Sequence, residues 1–189
     1  MITNPESQSP TQLISHFTNR DRDNQLLGWV ELPSPALIDW IESRPEILPS
    51  HPGRRLRALV PGCGKGYDVV MLALHGFDAT ELRESSAHNF ASESSRARRM
   101  SELLSPNGVL ACLEFPLYKE LTAPGPPWGL KGVHWNILAE GGDGIIKEES
   151  DSETGQLYGR FERVAYFKPR RSYENGKGTN MFSVWKLKK

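Results

Sequence analysis

The sequence predicts an α/β fold built on a strand, a glycine turn and a helix, and three observations predict it. Ala58, Leu59 and Val60 form a short apolar run that ends in Pro61-Gly62-Cys63-Gly64-Lys65-Gly66. An apolar-periodic stretch from Tyr67 to His75 follows and stops at Gly76. That order, buried strand, tight turn, helix, is the pattern that places backbone N–H groups at the carboxyl edge of a sheet. Farther along, Gly159–Phe167 and Asn180–Lys188 alternate apolar and polar residues, which predicts an antiparallel pair at the end of the chain.

The remaining elements follow in order. Met1–Pro10 is polar, lacks a charged-then-apolar leader pattern, and is expected to be disordered. Gln12–Trp29 has helical character and reads as a covering segment. Ser34–Ser43 predicts a short helix with Ser34 as N-cap and Pro35 in its first position, where a missing N–H costs nothing. Pro45–Gly53 is a linker into the core. Glu81–Ser95 is polar and poorly periodic. Ser95–Leu104 predicts a helix, stopped by Pro106-Asn107-Gly108, that feeds a strand over Val109–Phe115. Pro116–Trp128 is a proline-rich loop at that strand's carboxyl end, and Gly141–Gly155 is an acidic turn region. The domain expectation is therefore one domain over 11–189, with a lid and linker (11–53), a cofactor half (54–85) and a C-terminal half (95–189).

Four readings of the glycine turn compete. A phosphate-binding P-loop needs four residues between its first Gly and a Gly-Lys-Ser/Thr end, but Lys65 is followed by Gly66, so the loop is short and the metal-binding hydroxyl is absent. A dinucleotide fingerprint needs G-x-G-x-x-G, and Gly62 to Gly66 gives G-x-G-x-G, one residue short. The spacing matches the S-adenosylmethionine loop of class I methyltransferases. The fourth reading is a turn that binds nothing.

The segment ALVPGCGKGYDVVMLALHGFDAT, from Ala58 to Thr80, resembles the first motif of the thiopurine S-methyltransferase family, in particular its fungal and plant thiol or halide methyltransferase branch. Other segments resemble the same family: Ser15–Asn24, Gly28-Trp29 and Pro33–Leu37 its N-terminal lid, Gly108–Tyr118 its fifth core strand, and Gly125–His134 with the Phe161–Trp185 tail its C-terminal end. The resemblance implies a class I methyltransferase (Rossmann-like) sheet with helices on both faces, and S-adenosyl-L-methionine as cofactor. It implies methyl transfer to a thiol or similar small soft nucleophile.

Three departures from the family pattern matter. The family's second strand ends in an acidic residue that holds the ribose hydroxyls; matched residue by residue, Arg83 takes that position, with Glu81 and Glu84 beside it. A guanidinium has no acceptor, so either Glu84 substitutes or the ribose clamp is lost. Beyond Ser85 the family continues with a helix, the third strand, an adenine loop and the fourth strand. Here Ser86–Ser95 runs straight into Arg96–Leu104, which resembles the helix before the fifth strand. The sheet is thus expected to be shortened by loss of its middle strands, to roughly five strands, with some apolar surface exposed. Only Trp29 remains of the tryptophans that the family places over the cofactor.

The residues expected to bind the cofactor are Trp29, Gly62, Cys63, Gly64, Gly66 and Glu84. Trp29 offers an aromatic face to a sulfonium or packs in the core. Cys63 is a loop thiol or a small residue under the turn. Lys65 neutralises the cofactor's carboxylate or is a plain surface lysine. No catalytic residue is assigned, because a thiolate needs alignment more than a base. His75, His88 and His134 have no partner at a readable spacing, and Glu114, Tyr118 and Trp128 have ordinary strand-end roles as the alternative to contacts with the site.

Composition bounds the rest. The 189 residues carry 23 basic and 23 acidic side chains, a net charge of zero that argues against phosphate-driven nucleic-acid binding. The basic runs at Arg96–Arg99, Lys168–Arg171 and Lys186–Lys189 read as solvated element ends. Cys63 and Cys112 give neither a disulfide framework nor metal-ligand spacing. With no apolar run of membrane-spanning length, the expectation is a cytoplasmic monomer with a small-molecule thiol acceptor, no nucleic-acid partner, no membrane and no metal. Three functions stay open: an enzyme with an altered site, a catalytically inactive truncated pseudoenzyme or partner-binding remnant of that family, and a binding module that holds the cofactor without chemistry.

Overall fold

The computed structural model describes residues 32–49, 52–61, 63–82, 93–123, 129–146, 159–174 and 177–189, with side chains of the third helix described from 97. The expected disordered stretch Met1–Pro10 and the covering segment Gln12–Trp29 lie outside these residues. In chain order the elements are α1 (Pro35–Ser43), a 3-10 turn (Pro45–Ile47), β1 (Arg57–Pro61), α2 (Tyr67–Leu74), β2 (Asp78–Leu82), α3 (Glu93–Leu103), β3 (Leu110–Glu114), α4 (Val133–Trp135, continued by a π-helical turn over Asn136–Glu140), β4 (Phe161–Phe167) and β5 (Met181–Leu187). The fold is mixed α/β. Among the described residues no helix is long and apolar enough to cross a membrane.

The chain divides into two compact units, Met1–Ser34 with Ser50–His88, and Pro35–Pro49 with Asn89–Lys189. Where the sequence predicts one sheet of about five strands, the described strands form two sheets, β1-β2 and β3-β5-β4. The reason is local: β1 and β2 pair only with each other, and no described strand extends that ladder.

The first unit holds the strand, turn and helix that the sequence predicts. β1 and β2 are parallel, in register from Arg57 opposite Asp78 to Pro61 opposite Leu82. The α2 helix ends where Gly76 turns left-handed at φ +86°, and the N–H of Phe77 closes on the Leu72 carbonyl at 3.0 Å. The Asp78 N–H then bonds the Leu56 carbonyl at 2.8 Å, which starts the β2 ladder. Met71 and Leu72 form the buried face of the helix, while Leu59 is 42 % exposed and Val70 55 % exposed. Exposed Leu59 on a parallel strand is unusual, because parallel sheets are ordinarily covered on both faces.

The second unit is an antiparallel sheet with β5 in the centre. The expected terminal pair is present: β4 and β5 run antiparallel from Phe161 opposite Leu187 to Phe167 opposite Phe182, with a bulge between Arg163 and Ala165. Phe182, Ser183, Val184 and Trp185 are all buried, as a central strand covered on both faces requires. On one face Trp40 of α1 packs on Phe182 at 5.4 Å between ring centroids, and Phe167, opposite Phe182 in the ladder, packs on it at 5.5 Å. On the opposite face Leu138, Ala139, Phe161 and Trp185 form the core, flanked by Ala97 and Met100 of α3. Helices therefore lie on both faces of this sheet. Buried Asp39 fixes α1 by accepting the Arg170 N–H at 2.9 Å and pairing with Arg171 at 3.7 Å.

The sequence reading did not predict α4. It is bracketed by Gly132 at φ +79° and Gly141 at φ +79°, and at eight residues, Val133 to Glu140, it is too short to show a helical period.

Candidate functional site

The glycine turn stands at the carboxyl end of β1. Gly64 at φ +54° and Gly66 at φ +82° are both left-handed, which side chains with a Cβ resist. A Cβ on Gly64 would meet nothing within 4 Å, so the backbone angle, and not crowding by this chain, demands glycine there. The Gly66 N–H bonds the Cys63 carbonyl at 2.8 Å and closes the turn, and the Gly66 carbonyl accepts from Val70 at 3.1 Å, which begins α2. Gly66 caps α2 without a side-chain acceptor. The first-turn N–H groups thus have no cap from that residue, which is the condition for anion binding at a helix start.

Two carboxylates belong to this site. Glu81 stands opposite Val60 in the ladder. Its Oε2 lies 3.9 Å from the Cys63 sulfur and 3.8 Å from where a Cβ on Gly66 would be. Asp68, in the first turn of α2, accepts the Ser34 backbone N–H at 2.6 Å. Burial pushes the Asp68 carboxyl above its ordinary range, and the Ser34 hydrogen bond only partly opposes this.

Of the residues expected to bind the cofactor, Cys63, Gly64 and Gly66 come together in this turn; Trp29, Gly62 and Glu84 lie outside the described residues, as do Arg83, His88 and Trp128. Lys65 is exposed and is engaged by its surroundings. Among the described residues, Glu81 is the carboxylate whose oxygen approaches Cys63 and Gly66. The parallel ladder that pairs Val60 with Glu81 sets that residue beside the end of β1.

The other candidates lie elsewhere. His75 turns its Nδ1 to the Met71 carbonyl at 2.9 Å, closing its own helix. Tyr118 stacks edge-on to Phe115 at 6.2 Å and is half-exposed. Cys112, in β3, is half-buried by area, yet its sulfur is deep enough that burial first and Glu114 second push its thiol up to about 12. It is a packing residue and no nucleophile. Among the described residues no group of three or more His, Cys, Asp or Glu could hold a metal ion.

No protein-family model matches this chain, and no curated protein matches it.

Proposed function

We propose that this chain is a shortened member of the thiopurine S-methyltransferase family that holds S-adenosylmethionine at the β1–α2 turn, for methyl transfer to a thiol or similar soft nucleophile. One observation carries the reading: two left-handed glycines at the carboxyl end of a parallel strand open directly into a helix, with a carboxylate beside them. The strand arrangement supports the same origin. A parallel pair at the front and an antiparallel group at the end are what a Rossmann-like methyltransferase sheet leaves when its central strand is lost, and such a loss separates one sheet into two.

The residues present fit the cofactor. Glu81 is an acceptor for ribose hydroxyls, the role that Arg83 cannot fill. The N–H groups at the start of α2 and the Lys65 ammonium suit a carboxylate. When bound, the cofactor would supply a sulfonium methyl group for transfer to a thiolate sulfur. The chain's part is to hold and align, with the glycines admitting close backbone approach and Cys63 filling the space under the turn.

A second reading, a catalytically inactive remnant, is favoured by one feature, the exposure of Leu59 on a two-stranded parallel sheet. Isothermal titration with adenosylhomocysteine separates the two. Micromolar binding that weakens about ten- to a hundredfold in Glu81→Ala, the loss expected for hydrogen bonds to a charged acceptor, supports the methyltransferase reading. A folded chain that shows no heat of binding overturns it.

A further inference from the structure

A polar row on the β3-β5-β4 sheet is not used by the reading above. Glu114, the last residue of β3, is 5 % exposed, and its Oε1 is buried with no hydrogen-bond partner. Its other oxygen is reached only weakly, by the Tyr166 hydroxyl at 3.5 Å. Buried carboxylate oxygens without a donor are costly and rare. Beyond Tyr166 stands Arg163. Its guanidinium lies 4.2 Å over the Tyr166 ring, 4.6 Å over Trp135 and 5.6 Å over Trp185. Among the described residues the Arg163 guanidinium has no hydrogen-bond acceptor and no ion-pair partner. The rings that hold it are themselves fixed: Trp135 donates to Glu140 at 2.9 Å, and Trp185 to Ser183 at 2.9 Å.

Among the described residues, one tyrosine side chain thus separates a carboxylate oxygen without a donor from a guanidinium without an acceptor. We propose that Glu114, Tyr166 and Arg163 form a binding site for a zwitterionic amino acid, whose ammonium goes to Glu114 and whose carboxylate goes to Arg163. Tyr166 sets the spacing, its hydroxyl 3.5 Å from Glu114 and its ring centre 4.2 Å from the Arg163 guanidinium. Arg163 is suited to the task because a planar fork pinned by aromatic rings meets a carboxylate with little loss of side-chain freedom. Entry requires the Tyr166 hydroxyl to leave Glu114. That contact is at the outer limit of a hydrogen bond, and Tyr166 is 43 % exposed, so it has solvent to swing into. Burial and the nearby Glu114 raise the Tyr166 hydroxyl above its ordinary range, so it remains a donor that a stronger, charged donor displaces.

The test is a titration of the full chain, without cofactor, with L-alanine, ethylamine and propionate, followed by the NMR signals of the Trp135 indole and Tyr166 ring. The expected result is that L-alanine binds at least tenfold more tightly than either half-molecule. Arg163→Gln removes its advantage over ethylamine, Glu114→Gln removes its advantage over propionate, and Tyr166→Phe binds as tightly as the parent or more tightly. Equal affinity for the three probes, no saturable shift at the two rings, or loss of binding in Tyr166→Phe overturns the proposal. Should Glu114→Gln fail to fold, Arg163→Gln, at a half-exposed position, decides alone. Because no methyl donor is present, the result is independent of the cofactor titration.

Discussion

The two compact units differ in how well their sheets are sealed. In the larger, the central strand β5 buries four consecutive residues between helices on both faces. In the smaller, no residue of β1 or β2 is fully buried, and the described cover is α2 alone. Buried apolar area is the main favourable term in folding, so the larger unit holds most of the stability, while the smaller unit carries the glycine turn. A binding loop on the weaker part of a fold is a common arrangement, since such loops are drawn from the low-stability end. Here the weakness has a specific source, a parallel strand whose apolar side chain meets water.

The largest expected effect is in the larger core. Trp185→Ala removes a fully buried indole from the core it forms with Leu138, Ala139 and Phe161 and should cost about 3–5 kcal/mol. Leu59→Ala in β1 should cost less than about 1 kcal/mol, because nearly half of that side chain is already in water. Urea denaturation of both variants makes the comparison. Equal losses would break it and mean that something covers β1 in solution.

The next effect is electrostatic and lies at the seam between α1 and the loop before β5. Asp39→Ala leaves the Arg170 N–H without its acceptor and Arg171 with Glu42 alone. The expected loss is about 1–3 kcal/mol, reduced from a fully buried pair by the exposure of Arg171. Asp39→Asn, which keeps an acceptor oxygen for the Arg170 N–H, should recover part of it. No recovery would assign the whole effect to charge.

What the sequence made legible follows from range. β1, the glycine turn and α2 are local features, fixed by a short apolar run, left-handed glycines and a helical period, and they appear within a residue or two of where those signals place them. β4 and β5 alternate clearly, so their antiparallel pairing was readable too. The division into two sheets was not, because it depends on which strands find neighbours, and no single segment records that. That Glu81 stands beside the glycine turn follows from the ladder register, which sets it opposite Val60, and matching by position along one segment carries no register. The contact of Arg163 with Trp135 joins residues far apart in sequence, on an element too short to show a period.

The smallest effect sharpens the comparison by pH and is confined to the smaller unit. Asp68 has its carboxyl raised above the ordinary value of 3.8 because burial penalises the charge. A raised carboxyl binds its proton more tightly in the folded state, so its contribution is complete below the unfolded value and is lost as pH rises through the folded one. Asp68→Asn keeps an oxygen for the Ser34 N–H and cannot ionise. The parent should therefore lose stability relative to Asp68→Asn as pH climbs from below 3.8 toward neutrality, read from amide exchange along α2, while exchange along β5 stays unchanged. If the parent instead gains on the variant over that range, the charged hydrogen bond to Ser34 outweighs burial, and the helix start is a better-solvated, more anion-tolerant site than its area implies.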